Sequence, residues 1–355
     1  MLSKTKIYID KDSLEIIAQD STISDYYYKN IIEIFRRHAD LYLDISEQEL
    51  DSIREPKDLN DPGDIYTFIE GKNLPWPSSA IGNFEALHKS TDNLDINGSI
   101  IYILNKKEDV KKLRESFGVW AIYIEDINDD SFRIGFNKGL NLKEVLGKSS
   151  KGWNNLLSEA AKNFPISNSF VVSDSNLLTN DILDDNNVKH YCGLENLKDL
   201  LSIILPQSLD IPFYLLVICP PAEQVGKMKK RISEWILEVK ALRKYLIIVE
   251  FFITKKTLHD RGLYSNNYRI HLNKGFYVFI PWTCKVHVDG DSFNKIDIKS
   301  YLHSPFDGGD SIIDLAIMEL NRIAKKYDGF IRNTGDPYII ESIDKGHYCK
   351  NRILF

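Results

Sequence analysis

The chain reads as an α/β protein built in two parts, and three observations lead there. Short apolar, β-branched runs alternate with longer amphipathic ones along much of the chain, the pattern that places helices between strands. Pro56, Pro62, Gly63, Gly71, Pro75 and Pro77 punctuate residues 51–80, where no regular element can run for long. A length of 355 residues, 43% hydrophobic and 27% charged, is globular in composition and exceeds what one typical domain needs. The expected division is an N-terminal α/β region over 1–165 and a second α/β domain with a mixed sheet over 166–355.

The elements follow in order. Residues 6–10 are a β-rich run ending in an acid, followed by a helical stretch to about 19 and another over 25–39. In the latter, Ile31, Ile32, Ile34 and Phe35 share one face. Residues 98–104 form an apolar strand, 108–117 a short helix and 119–124 a second strand closed by Glu125 and Asp126. That order implies a parallel pair. Residues 147–165 read as a helix and an exit turn, which sets the division. Beyond it come a strand over 169–173, a helix over 194–205 ended by Pro206, and a buried strand over 213–219 stopped by Pro220 and Pro221. A helix over 223–245 carries Met228, Ile232, Trp235, Ile236, Val239 and Leu242 on one stripe. Strands over 246–254 and 276–280 follow, then a helix capped by Asp310 and Ser311 that runs to about 326.

Bulk chemistry narrows the function classes. Lys and Arg number 45 against 51 Asp and Glu, a formal charge of −6, so a nucleic-acid partner must meet a local basic patch. Cys192, Cys219, Cys284 and Cys349 stand singly, without zinc spacing, which suits a reducing compartment. The first residues lack a signal-peptide run and no segment approaches the roughly 20 apolar residues of a membrane span. A cytoplasmic location is expected. No Walker A, Rossmann glycine, zinc or Gly-x-Ser-x-Gly pattern occurs; neither a cofactor nor a metal is expected.

The sharpest local pattern is His259-x-Arg261-x-x-x-x-Asn266, directly after a very apolar run. Its spacing resembles the His-x-Lys-x-x-x-x-Asp of phospholipase D-type enzymes. There the His attacks phosphorus, the Lys binds phosphate oxygens and the Asp holds charge and orientation. Arg261 keeps the cation and offers a bidentate fork, whereas Asn266 removes a carboxylate that would stabilise an imidazolium. The longer string Leu258-His259-Asp260-Arg261, Asn266-Asn267, Ile270 and Lys274-Gly275-Phe276-x-x-Phe279 also resembles the C-terminal domain of MIT-domain proteins. The resemblance implies a phospholipase D-like fold that binds acidic phospholipid headgroups without hydrolysis. It covers about 25 residues directly, and no second His-x-Lys is present among His287, His303 and His347. Turnover needs two histidines on one phosphate, hence a homodimer pairing two copies of His259.

The residues assigned to catalysis are therefore His259, Arg261 and Asn266. Phosphate or nucleic-acid contact is assigned to Asp260, Asn267, Lys274 and the basic helix residues Lys227, Lys230 and Arg231. Against this stand plainer readings: an ion-pair cluster of His259, Asp260 and Arg261 that pins a strand end, and a solvated helix face partly neutralised by Glu234 and Glu238. Asp10 and Asp12 also resemble the opening of PIN-type nucleases, in which carboxylates hold Mg²⁺ or Mn²⁺, with Glu47, Asp95, Glu125 and Asp126 as partners. The resulting expectation is a phosphodiester-binding protein that binds or cleaves nucleic acid within a bacterial anti-phage system, as a homodimer or with a partner protein of that system. The alternatives are a non-catalytic interaction subunit, an acidic-lipid module and a PIN-like nuclease.

Overall fold

The computed structural model describes residues 5–14, 16, 39–44, 100–128, 137–141, 152–178, 181–183, 186, 189–221, 225–253, 261–273, 275–280, 282–284, 295–300, 321–323, 325–327, 338–339 and 351–353. The chain is an α/β protein with two principal sheets. Strands β1 (Thr5–Ile9), β2 (Ala39–Leu43), β3 (Ile100–Leu104) and β4 (Trp120–Tyr123) make the first, all parallel, in the order β2-β1-β3-β4. Every residue of β3 is buried, as a strand covered on both faces must be, and its sequence accordingly shows no alternation. Register stacks Tyr42, Tyr8 and Tyr102 across three strands, with centroids 4.7 and 4.9 Å apart.

Helix α1 (Lys107–Phe117) buries Val110, Leu113 and Phe117 at helical spacing. It stops at Gly118, whose φ of 57° is left-handed. A Cβ there would lie 2.8 Å from the carbonyl carbon of Ser167 and 2.9 Å from the nitrogen of Asn168, so glycine is required twice over. This turn is where the two sheets meet. The carbonyls of Ser116, Phe117 and Gly118 accept, respectively, the backbone N–H of Asp210 (2.8 Å), Nδ2 of Asn168 (2.9 Å) and Nδ2 of Asn266 (2.7 Å).

The second sheet has the order β14-β10-β9-β6-β11-β12-β13-β5. Its strands are β5 (Asn137–Asn141), β6 (Ser169–Ser173), β9 (Phe213–Cys219), β10 (Ile247–Ile253), β11 (Gly262–Ser265), β12 (Tyr268–Leu272), β13 (Lys295–Ser300) and β14 (Tyr338–Ile339), while β7 (Asp181–Leu183) and β8 (Lys189–Tyr191) pair apart. Strands β6, β9 and β10 are parallel; the remaining pairs are antiparallel. Helices α2 (Gly152–Ala161), α3 (Cys192–Ile204) and α4 (Val225–Lys240) bury Trp153, Leu157, Leu197, Leu201, Ile232 and Trp235 in one core with Phe213, Leu215, Val249 and Phe251. Residues of opposite parity face away from it. There Tyr264 meets Tyr327, Arg352 lies over the Tyr214 ring at 4.6 Å, and Asn351 bonds Ser169 and Phe170.

Three expectations are corrected. Strand β5 and helix α2 join the second sheet and its core, so residues 137–141 and 152–161 stand with the second sheet although they precede the expected division at 165. Asn137-Lys-Gly-Leu-Asn141 is too polar to announce an edge strand, and edges tolerate that polarity. Residues 276–280 are not a strand of the main ladder. Asp174 takes the N–H of Phe276, while Asn196 binds both the N–H and the carbonyl of Phe279, which removes groups a ladder would use. The helix expected over 223–245 is Val225–Lys240. Residues 25–38 of the helix expected over 25–39, the cap at 310–311 and the 51–80 connection lie outside the described residues, while Ala39 begins β2 and 321–323 and 325–327 are helical. No helix among the described residues is long and apolar enough to cross a membrane.

Candidate functional site

In open α/β sheets the carboxyl ends of parallel strands form the usual binding edge. Here β6, β9 and β10 end in one row: Ser173 pairs with Ile218, Ile218 with Phe252, and the antiparallel β11 contributes Gly262 opposite Ser173. One residue further stand Asp174, Cys219, Ile253 and Arg261. Arg261 therefore enters this edge because β11 starts where β6 stops.

The Arg261 side chain is half-buried and oriented. Its Nε donates to Ser175 Oγ at 3.0 Å and its Nη1 to the Asn273 carbonyl at 3.3 Å, while Nη2 donates to none of the described residues. Beside it lies the buried Asp174, whose two oxygens accept the backbone N–H groups of Asn176 and Phe276, both at 2.8 Å. Burial raises the Asp174 carboxyl above its ordinary range, opposed by those two N–H groups and then by the charge of Arg261. Gly275 makes this packing possible. Its φ is +87°, and a Cβ there would stand 2.6 Å from either Asp174 oxygen. Cys219, fully buried, is pushed far up by burial and then by the Asp174 charge, so its sulfur stays a thiol and is no nucleophile.

Asn266 and Asn267 stand at the other end of β11. Asn266 lies five positions beyond Arg261, roughly 16 Å along a strand, so the pattern's cation and its amide do not share one site. Asn266 accepts the Asn168 N–H at 3.2 Å and donates to Gly118. Asn267 donates to the Ile166 carbonyl at 2.7 Å, and Ser265 Oγ accepts the N–H of both Asn267 and Tyr268, closing the hairpin. Catalysis by Asn266 and phosphate contact by Asn267 are thus replaced by structural roles, because their amides are spent on backbone.

The basic helix is corrected in part. Arg231 is mostly buried and held by Glu238 at 2.7 Å, with Glu234 and Glu195 near 4 Å, which removes it from polyanion contact. Lys198 adds a 2.6 Å bond to the same Glu238. Lys230 is exposed, 3.9 Å from Glu234. His259, Asp260, Lys274 and the Lys227 side chain lie outside the described residues.

At the first sheet, Asp10 follows β1 beside β3, where the strand order reverses. Its carboxylate caps the chain, accepting the N–H of Ser13 and of Asn105 at 2.8 Å each, and burial raises its pKa most strongly. Asp12, Glu125 and Asp126 border the same edge, yet no cluster able to hold a metal ion forms among the described residues. Glu47 and Asp95 lie outside them.

The sequence raised no expectation for Asp174 and Ser175, and Gly275 entered it only within the longer string. An apolar run ending in Ser173-Asp174-Ser175-Asn176 was the available signal, a strand delivering a carboxylate to a turn. No protein-family model matches the chain, and no curated protein matches it in sequence.

Proposed function

We propose that this protein binds a phosphodiester at the carboxyl edge of the second sheet, with Arg261 as the anion-binding group. The observation that carries this reading is the Arg261 guanidinium, fixed by Ser175 and Asn273 at the end of three parallel strands, with Nη2 bonded to none of the described residues. A pre-oriented guanidinium loses less freedom on meeting a phosphate than a mobile one does. Both oxygens of the neighbouring Asp174 accept backbone N–H groups, and its charge offsets part of that of Arg261.

Nucleic acid is the phosphodiester we favour, in keeping with a role in bacterial anti-phage defence. Lys230 is the exposed cation that the basic helix contributes. Hydrolysis would pass through His259, with a second copy of the chain supplying the second histidine; binding does not depend on that step.

The test is fluorescence anisotropy of single-stranded and double-stranded DNA and RNA with wild type, Arg261→Ala and Arg261→Lys, at two salt concentrations. We expect salt-sensitive binding that weakens about tenfold or more in Arg261→Ala, on the order of 1.4 kcal/mol, with partial retention in Arg261→Lys. Equal binding by folded wild type and Arg261→Ala would end the assignment. A parallel cleavage assay with His259→Ala separates binding from turnover.

A further inference from the structure

A second concavity lies away from the Arg261 edge, between α2 and α3. Its volume is about 730 Å³, inside the range of small-molecule sites. Helices α2 and α3 run side by side in the same direction: near their first turns Trp153 Nε1 donates to Asn196 Oδ1 at 3.2 Å, and the residues that end both helices line the same cleft. Its apolar wall includes Phe164, Ile166, Leu205 and Phe279.

Arg243 binds the carbonyls of Ser202, Leu205 and Pro206 at the end of α3 and so offsets that helix's carboxyl-terminal charge, and the turn after α2 closes through the N–H groups of Asn163 and Phe164. Of the two charged side chains in the lining, Lys162 pairs with Glu159 at 2.8 Å. The other, Asp199, has no ion pair among the described residues: its neighbour Lys198 reaches away to Glu238 at 2.6 Å. Asp199 is exposed at the rim of the cleft, and its partial burial lifts the carboxyl above its usual range, opposed by the field of Lys198 and aided by that of Glu195.

We infer that this cleft binds a small amphipathic cation, with an apolar body against Phe164, Ile166, Leu205 and Phe279 and a protonated amine on Asp199. The lining shares no residue with the Arg261 edge, so the inference stands apart from the phosphodiester reading. An anion would face the uncompensated carboxylate, and a neutral molecule would leave it unused.

Calorimetry on the full chain with three probes of one shape tests this: 2-phenylethylamine, 2-phenylethanol and phenylacetate. The expected result is amine bound about tenfold tighter than alcohol, the contribution of one charge-assisted contact, and phenylacetate weakest. Asp199→Asn changes an exposed side chain and should equalise amine and alcohol while leaving the melting temperature unchanged. Arg261→Ala should leave amine binding intact. Equal affinity for amine and alcohol in wild type, tighter phenylacetate, or no heat from any probe up to millimolar concentration would overturn the inference.

Discussion

The two ends of β11 use one sequence motif for opposite purposes. At its amino end Arg261 stands half-buried, with one nitrogen bonded to none of the described residues, beside a buried carboxylate. At its far end Asn266 and Asn267 spend their amides on the backbone of Gly118, Asn168 and Ile166. A spacing that reads as one site is thus divided by a four-residue strand into a charged edge and a neutral clamp. The clamp also accounts for an amide rather than a carboxylate at position 266. Asn266 must accept an N–H and donate to a carbonyl at once, and a carboxylate can only accept.

Gly275→Ala attacks the charged end and should have the largest effect. It places a methyl group against the Asp174 oxygens at a φ of +87°, so either the carboxylate loses the Phe276 N–H or the turn refolds. We expect a loss of roughly 3 kcal/mol, read from denaturant midpoints. A change well under 1 kcal/mol would mean that the Asp174 cradle yields easily and cannot orient its neighbours.

Asn266→Asp tests the clamp. The lost donor leaves the Gly118 carbonyl facing a carboxylate, which should cost about 2 kcal/mol at neutral pH. Protonation restores a donor, so the deficit should shrink as pH falls through the new group's titration, which differential melts at several pH values will show. Phosphodiester affinity should stay unchanged. If stability is untouched and binding changes instead, Asn266 belongs to the site after all.

What was legible in the sequence follows the same physical division. Strands β3, β6, β9 and β10 are covered on both faces, so each is a nearly continuous apolar run that periodicity finds. Strands β5 and β13 pair at and beside an edge, and Asn137-Lys-Gly-Leu-Asn141 and Lys295-Ile-Asp-Ile-Lys-Ser300 are too polar to stand out. The buried stripe of α4 was readable from Met228 to Val239, as was its neutralisation by Glu234 and Glu238; the approach of Glu195 to Arg231 was not, because Glu195 belongs to another helix. Long-range partners hid the rest: Phe276 lies 102 residues from Asp174, and Gly118 lies 148 from Asn266.

The smallest effect sharpens the comparison from inside the hairpin. His271 pairs with Gly262, the residue after Arg261, and faces Asp297 on β13. Burial lowers its pKa first and the charge of Arg269 lowers it further, with Asp297 opposing both. A histidine that holds its proton less tightly when folded leaves stability unaffected above the ordinary histidine range. Stability then falls as pH drops from the unfolded value to the lower folded one, below which the penalty is constant. Because His271 is exposed, solvent screening keeps this slope small. His271→Gln should flatten it, while the same substitution leaves the clamp at Asn266 untouched. Measuring unfolding free energy from pH 7.5 to 5 in both proteins decides the point: stability that rises toward acid because of His271 would mean that Asp297 dominates and the hairpin carries a favourable charge pair.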